Sequence, residues 1–308
     1  MGGRDSDVSG QASIFGYTIQ SPLSFMLTRN GEGDGPLRIT LDGAIEPPAG
    51  PALLEWQPRP DHPRGARLHQ SGSGYSVWID QSGWFQIDHR QPAIAIPPSA
   101  DPWRREASLW GLPAALCFIE RGDLSLHAAA VEVDGSAILL AAPGRGGKTT
   151  LACGFLQSGY RVLAEDVSCC RPSAVPLLLP GPAMLRVRAD TFAHVELAGT
   201  RVVAEDPDRV ILSIGPHASG EGRAVPVRAV VVLGASTSEP ALERVALPEA
   251  IRALWSLSFR LPGDVHRARC FQAVTAIASA VPVWSFRWRR SFRGLTDAVT
   301  AIASVVGD

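Results

Sequence analysis

Gly144, Gly146, Gly147, Lys148 and Thr149 stand at the spacing that grips a phosphate chain. The run Ala142-Pro-Gly-Arg-Gly-Gly-Lys-Thr satisfies the relaxed phosphate-loop pattern, a small residue, four variable positions and Gly-Lys-Thr, with Ala142 where the stricter pattern has glycine. Glycines let successive backbone N–H groups curve around a phosphate, Lys148 reaches its outer oxygens and Thr149 holds Mg²⁺. The cradle is expected from the backbone of Gly144 to Lys148, and Thr150 completes the nucleotide-binding set. Arg145 either touches a phosphate or projects into water. The competing explanation is a glycine-rich turn that merely opens a helix.

A second group follows the loop. Glu165 and Asp166 end a short apolar run, where one carboxylate can hold Mg²⁺ and the other can accept a proton from a substrate hydroxyl. Spacing does not divide these jobs between them, and a solvated pair at a strand end is the alternative. His127 can assist proton transfer, as the imidazole is the side chain suited to it near neutral pH, although an isolated histidine is more often structural.

Positioning these groups requires strands and a helix. Ala137–Ala141 reads as a buried strand entering the loop, Thr149–Ser158 as the helix leaving it, and Arg161–Ala164 as the strand that delivers the acidic pair. Leu124 to Gly135 is an extended segment ending in a turn. Two strands thus bring a phosphate cradle and two acids to strand ends, the usual place for a nucleotide site in an α/β fold. Further strands are expected at 176–179, 183–187, 209–214 and 227–233, and a short helix at 189–198. Helices are expected at 248–261, 265–280 and 291–306. Val281–Trp288 reads as a strand that Pro282 assigns to an edge.

Upstream, residues 1–99 read as a β-rich accessory module. Phe15–Gln20, Leu37–Leu41 and Leu53–Trp56 are candidate strands. Tyr75 to Asp88 is a hairpin with Tyr75, Val77 and Ile79 on one face of the first strand and Trp78 on the other, and Phe85 and Ile87 on one face of the return strand and Trp84 on the other. The tryptophans read as packing residues. Asp101 and Pro102 suit the start of a helix over Trp103–Phe118, which Gly111 and Pro113 break midway. The boundary falls just before it, leaving 100–308 as the phosphate-loop core with a C-terminal helical annex. Arg59–Arg67 reads as an exposed loop. Ser213–Gly222, which contains His217, reads as a surface connection without a role. Arg287-Trp-Arg-Arg-Ser-Phe-Arg293 is a basic, aromatic patch that could bind a peptide acid, a phosphate or an anionic surface, and is preferentially read as the solvated end of a strand followed by a helix.

The residues from Leu126-His127 through Gly146-Gly147-Lys148-Thr149 to Gly159-Tyr-Arg-Val-Leu-Ala-Glu165-Asp166 resemble the catalytic core of HPr kinase/phosphorylase and its diverse bacterial relatives. In that family a histidine precedes the phosphate loop and an acidic pair follows a Gly-x-x-Leu-x-x-Asp-Asp-like run, matched here by His127 and Glu165-Asp166. The resemblance implies an HPr-kinase-like α/β fold, ATP and Mg²⁺ as cofactors, phosphoryl transfer, His127 in the active site and assembly into homo-oligomers. Three positions depart from the family. Ala142 replaces a glycine, Thr150 stands where a glutamate is usual, and Glu165 replaces an aspartate. The signature associated with reverse phosphorolysis is not recognisable, so phosphorylase activity is not carried over. Some relatives resemble kinases that modify lasso-peptide precursors, which implies a peptide serine or another hydroxyl as acceptor.

Composition limits the alternatives. The 308 residues carry a net charge of −1, with 45% apolar and 19% charged side chains, so neither a disordered chain nor general nucleic-acid attraction is favoured. Five cysteines lack zinc-site spacing and a complete disulfide framework, suiting buried thiols in a reducing compartment. No stretch reads as a signal peptide or a membrane span, so a cytoplasmic setting is expected. Gly2 and Ser6 match only the minimal myristoylation pattern. The resulting expectation is an ATP-dependent kinase acting on a peptide or natural-product hydroxyl. Its rivals are a nucleotide-responsive interaction protein and a small-molecule kinase.

Overall fold

The computed structural model describes residues 11–57, 65–72, 74–206, 208–215, 222–235, 237 and 240–306. Gly2, Ser6 and His217 lie outside the described residues, as does most of the loop expected at Arg59–Arg67.

Nine strands build the first sheet: β1 (Ala12–Ile14), β2 (Tyr17–Gln20), β3 (Arg29–Asn30), β4 (Gly35–Leu41), β5 (Leu54–Trp56), β6 (Ala66–Ser71), β7 (Gly74–Ile79), β8 (Gly83–Asp88) and β9 (Ala93–Ile96). Their order is β3-β1-β2-β4-β9-β8-β7-β6-β5. The expected hairpin is β7–β8, with Val77 opposite Phe85 and Trp78 opposite Trp84. Period-two alternation buries Tyr75, Val77, Phe85 and Ile87. The single strand expected over Phe15–Gln20 is instead split by a two-residue turn. Phe15 and Gly16 take φ of 49° and 74°, which folds β1 back on β2 and pairs Ile14 with Tyr17.

Two helices follow, α1 (Pro102–Leu109) and α2 (Leu112–Arg121). The Asp101 carboxylate accepts from the Arg104 backbone N–H, and the helix breaks at Gly111 as composition dictates. Leu109, Trp110, Leu116 and Phe118 share one core with Leu37, Ile39, Phe85 and Ile94 of the first sheet. The division at residue 99/100 remains a proposal about folding units, and the α1–α2 pair packs across it.

The second sheet comprises β10 (Leu124–Leu126), β11 (Ala128–Val133), β12 (Ser136–Ala141), β13 (Arg161–Ala164), β14 (Ser168–Arg171) and β15 (Leu177–Leu179), with β19 (Val225–Leu233), β20 (Ala241–Arg244) and β21 (Val283–Arg287) added later in the chain. The order along its main path is β10-β14-β15-β19-β12-β11-β13, and β21 lies between β19 and β20. Between β15 and β19 the chain forms a separate three-stranded sheet of β16 (Met184–Arg188), β17 (Arg201–Asp206) and β18 (Arg209–Ser213). The result is a mixed α/β protein with several sheets.

Both faces of the second sheet are covered, which is why β12 is an unbroken apolar run. Ile138 and Leu140 pack with Leu151 and Phe155 of α3 (Lys148–Gln157) and with Leu295 and Val299 of α7 (Leu295–Ala303). Ala137, Leu139 and Ala141 face Leu254 of α5 (Leu247–Leu257) and Val274 and Ile277 of α6 (Asp264–Ala280). Burying each such leucine or isoleucine contributes about 1.5–3 kcal/mol.

Two further expectations change. Pro282 does not mark an edge, because it precedes β21 and its carbonyl accepts from the Val230 N–H while β21 pairs on both sides. The helix expected over 189–198 is only α4 (Ala189–Phe192).

Arg29 ties the two sheets together. It is 3% exposed, and its guanidinium donates to the carbonyls of Gly181 at 2.8 Å, Val162 at 2.8 Å and Leu163 at 3.1 Å. Two of those carbonyls belong to β13, the strand that delivers the acidic pair.

Candidate active site

Strand direction gathers the site. β11 runs antiparallel to both β12 and β13, with Ala128 opposite Ala141 and Ala130 opposite Ala164. The residue before β11 and the residues after β12 and β13 therefore emerge at one end of the sheet. These are His127, the phosphate loop and Glu165-Asp166.

The loop has the backbone of an anion nest. Arg145 and Gly147 take φ of 61° and 93° ahead of α3, whose first-turn N–H groups have no partners within the helix, while the Gly146 N–H donates to the Pro143 carbonyl at 3.1 Å. Gly146 has a different reason to be glycine. A Cβ there would lie 2.3 Å from the Ala142 Cβ, so the close turn between them excludes any side chain.

Lys148 is 6% exposed and curls back over the loop. Its ammonium donates to the Ala142 carbonyl at 2.9 Å and the Pro143 carbonyl at 3.3 Å, and lies 2.9 Å from His127 Nε2. That same Nε2 lies 3.0 Å from Asp166 Oδ1. One ring nitrogen cannot both accept from the ammonium and donate to the carboxylate, so the two contacts are alternative proton placements along one chain of atoms. Burial pulls the Lys148 pKa below its ordinary value, and the nearby Asp166 and Glu165 charges offset only part of that pull.

The two acids occupy different surroundings. The Glu165 side chain is only 2% exposed; it accepts from the Thr149 hydroxyl at 2.9 Å and faces Arg186 Nε at 3.5 Å. Burial raises its pKa, and Arg186 counters that while the Asp166 charge adds to it. The Asp166 side chain is 36% exposed and accepts from Arg186 Nη2 at 3.1 Å. Burial alone would raise its pKa too, but the His127 hydrogen bond, Arg186 and Lys148 reverse the direction and hold it well below the usual carboxylate range. Asp166 also sits in a strained turn. Its φ is 67°, and the Val167 N–H donates to the Glu165 carbonyl at 2.8 Å, closing a three-residue γ-turn of the uncommon hand. Such strain, costing about 1–3 kcal/mol, turns the carboxylate toward the cavity.

A cavity of about 850 Å³ opens over these groups, lined by the phosphate loop, His127, Asp166 and the three-stranded sheet. All the expected site residues except Glu165 line it, and Glu165 joins through Thr149 and Arg186. Arg145 is among the residues lining it and is exposed, and Thr150 approaches Thr191 of α4 at 3.4 Å between hydroxyl oxygens.

Sequence reasoning assigned no role to Arg186, Arg188 or Arg209, all of which line the cavity. The alternation Leu185-Arg186-Val187-Arg188 carried the signal, because it puts both arginines on one face of β16. Arg209 then stands directly opposite Arg188. The basic segment at the end of β21 is solvated only in part: Arg289, Arg290, Phe292 and Arg293 are exposed, but the segment also packs and reaches the cavity. Trp288 is buried, Arg290 donates to the Gly234 carbonyl at 2.8 Å and the Arg145 carbonyl at 3.3 Å, and Trp288, Arg290, Ser291 and Phe292 line the cavity.

Among the described residues no group of three or more His, Cys, Asp or Glu side chains forms a metal cluster. The donors at the loop are instead a hydroxyl and two carboxylates, hard oxygen ligands that suit Mg²⁺. The five cysteines are free thiols. Among the described residues no helix is long and apolar enough to cross a membrane.

No protein-family model and no curated protein matches the chain. Among solved structures, the Hpr(Ser) kinase/phosphatase from Coxiella burnetii aligns at 10% identity over 59% of this chain and 93% of its own, with a TM-score of 0.31. At so low a score the likeness carries no argument for fold or activity. The functional assignment rests on the site's own residues.

Proposed function

We propose that the chain is an ATP-dependent kinase that transfers the γ-phosphoryl group to a hydroxyl acceptor. The observation that carries this reading is the convergence of the loop lysine, a histidine and the Asp166 carboxylate on one cavity, with Glu165 joined behind Thr149, through contacts of 2.9 Å and 3.0 Å. A glycine-rich turn without a nucleotide has no use for a buried lysine held beside two acids. Bound ATP would supply the phosphoryl group, and bound Mg²⁺ would neutralise developing charge on its oxygens.

Within that reading Thr149, whose hydroxyl donates to Glu165 at 2.9 Å, and the two carboxylates would hold Mg²⁺, which would supply charge neutralisation at the phosphate oxygens. Lys148 exchanges the loop carbonyls and His127 for phosphate oxygens, which leaves His127 Nε2 free to donate to Asp166. Asp166, with His127, orients the acceptor hydroxyl and takes its proton as the new O–P bond forms and the bond to ADP breaks. His127 and Arg186 hold the Asp166 carboxylate in place to orient the hydroxyl, in keeping with a loose transition state that depends on alignment and electrostatics. Arg186, Arg188 and Arg209 add positive charge along the cavity wall.

The acceptor in this proposal is a serine of a peptide or natural-product precursor, and the free thiols suit a reducing, cytoplasmic setting. Incubation with γ-labelled ATP, Mg²⁺ and a panel of serine peptides and small hydroxyl compounds, followed by intact-mass analysis, tests it. Acceptor-dependent labelling is the expected result. Phosphate release without a labelled acceptor would favour the nucleotide-responsive interaction protein.

A further inference from the structure

The cavity is divided by charge. Its phosphate-loop side carries Arg145, Lys148, Asp166, Arg186 and Arg209, whereas the other end is lined by Trp56, Leu112, Ala115, Leu257, Ser258 and Phe259, none of them charged. Contacts fix that second group beside His127. The His127 N–H donates to the Leu257 carbonyl at 2.8 Å, the Phe259 N–H donates to the Ser125 carbonyl at 3.0 Å, and Leu126 bridges Ser258. Trp56 reaches the same end from the first sheet, with its ring centroid 6.0 Å from that of Phe259.

His127 and Asp166 therefore stand at the seam between a charged compartment and an uncharged one. A triphosphate belongs with the cations, so the uncharged end is left for whatever carries the hydroxyl. At about 850 Å³ the space lies toward the upper end of the ~300–1,000 Å³ usual for small-ligand sites, consistent with two occupants. Trp56 ends β5, the last strand of its sheet, whose outer edge has no strand partner among the described residues. Such an edge offers backbone groups to an extended peptide.

On the kinase reading above, we infer that the Trp56–Phe259 end binds a peptide acceptor whose serine is flanked by an aromatic or branched aliphatic residue. The accessory sheet thus selects the acceptor, and an acidic neighbour is disfavoured because none of the residues lining that end is charged and the nearby Arg260 guanidinium is already held by the Ser258 carbonyl at 3.2 Å and hydroxyl at 3.0 Å.

The test measures binding rather than turnover. Two probes, N-acetyl-Phe-Ser-amide and N-acetyl-Asp-Ser-amide, are titrated into the full chain by ligand-observed NMR, with phosphoryl transfer followed separately. The phenylalanine probe should bind at least about tenfold more tightly, and Trp56→Ala should remove about that factor. Ser256→Glu, at an exposed residue lining the same end, places a carboxylate there without removing packing and should weaken the phenylalanine probe about as much. Equal binding of the two probes, absence of binding by either, or indifference to Ser256→Glu overturns the inference. Absence of transfer with the binding pattern intact would count against the kinase reading and leave the pocket assignment standing.

Discussion

Lys148 Nζ stands 2.9 Å from His127 Nε2, and Asp166 Oδ1 stands 3.0 Å from the same nitrogen. The loop lysine and one of the two acids are thereby joined through one imidazole. On the proposed kinase reading, moving the ammonium onto a phosphate would change what that imidazole can do, coupling nucleotide binding to acceptor activation by a proton placement. His127→Gln should lower acceptor-dependent transfer by about 10²-fold or more while leaving ATP affinity within a few fold. Steady-state kinetics paired with calorimetric nucleotide titration measures both quantities, and an equal loss in each would reduce His127 to a scaffold residue.

The loop glycines make different demands. Alanine at Gly146 meets Ala142 at 2.3 Å and has to open the turn, whereas alanine at Gly144 meets nothing within 4 Å. Gly146→Ala is expected to abolish measurable nucleotide binding, while Gly144→Ala leaves thermal stability almost unchanged. Comparable nucleotide affinity in both variants would mean that the loop does not bind phosphate in this conformation.

The acidic pair should leave opposite marks on the pH dependence of stability. Asp166 is depressed below its ordinary 3.8, so its contribution is present above that value and is lost as pH falls toward the folded-state pKa. Glu165 is raised above its ordinary 4.5, so its contribution is present below that value and is lost as pH rises through the folded-state pKa. Urea unfolding between about pH 3 and pH 8 should show a shallower acid-side loss for Asp166→Asn. Glu165→Gln should lack the decline that begins above 4.5. A wild-type profile unchanged by either substitution would contradict the charge arrangement described here.

Arg29 has a structural role that reaches the site. Burial pushes its pKa down to about 10, yet its hydrogen bonds to Gly181, Val162 and Leu163 hold the first sheet against the strand bearing Glu165 and Asp166. Arg29→Ala strands those carbonyls and should cost about 2–4 kcal/mol of unfolding free energy. Chemical denaturation measures this directly, and a loss below about 1 kcal/mol would show that the carbonyls find other partners.

The local parts of this arrangement were legible in the sequence, and its assembly was not. Glycine spacing, the apolar run into Ala141 and the acids ending Arg161–Ala164 mark the loop, its strand and the acidic pair, because each depends on neighbours in the chain. Asp101 and Gly111 likewise announce where α1 begins and the pair breaks. Strands such as Ser168–Arg171 and Arg201–Asp206 escape because their polar or charged residues give no alternating apolar pattern. Arg186 and Arg188 show the right alternation, but only the packing of β16 beside the loop reveals what they face. Trp56 belongs to a different sheet from His127, and nothing local connects them. The patch at Arg287–Arg293 reads as solvent-facing until Arg290 is seen reaching the Arg145 carbonyl.

On the kinase reading, this loop grips a triphosphate through its buried lysine. Calorimetric titration of wild-type protein and Lys148→Ala with ATP in the presence of Mg²⁺ measures that grip. Saturable binding by the wild type, weakened at least about 10²-fold by the substitution while the unfolding midpoint is kept, is the expected result. Equal affinity in the two proteins, or no binding heat and no displacement of a fluorescent ATP analogue with either, would contradict it.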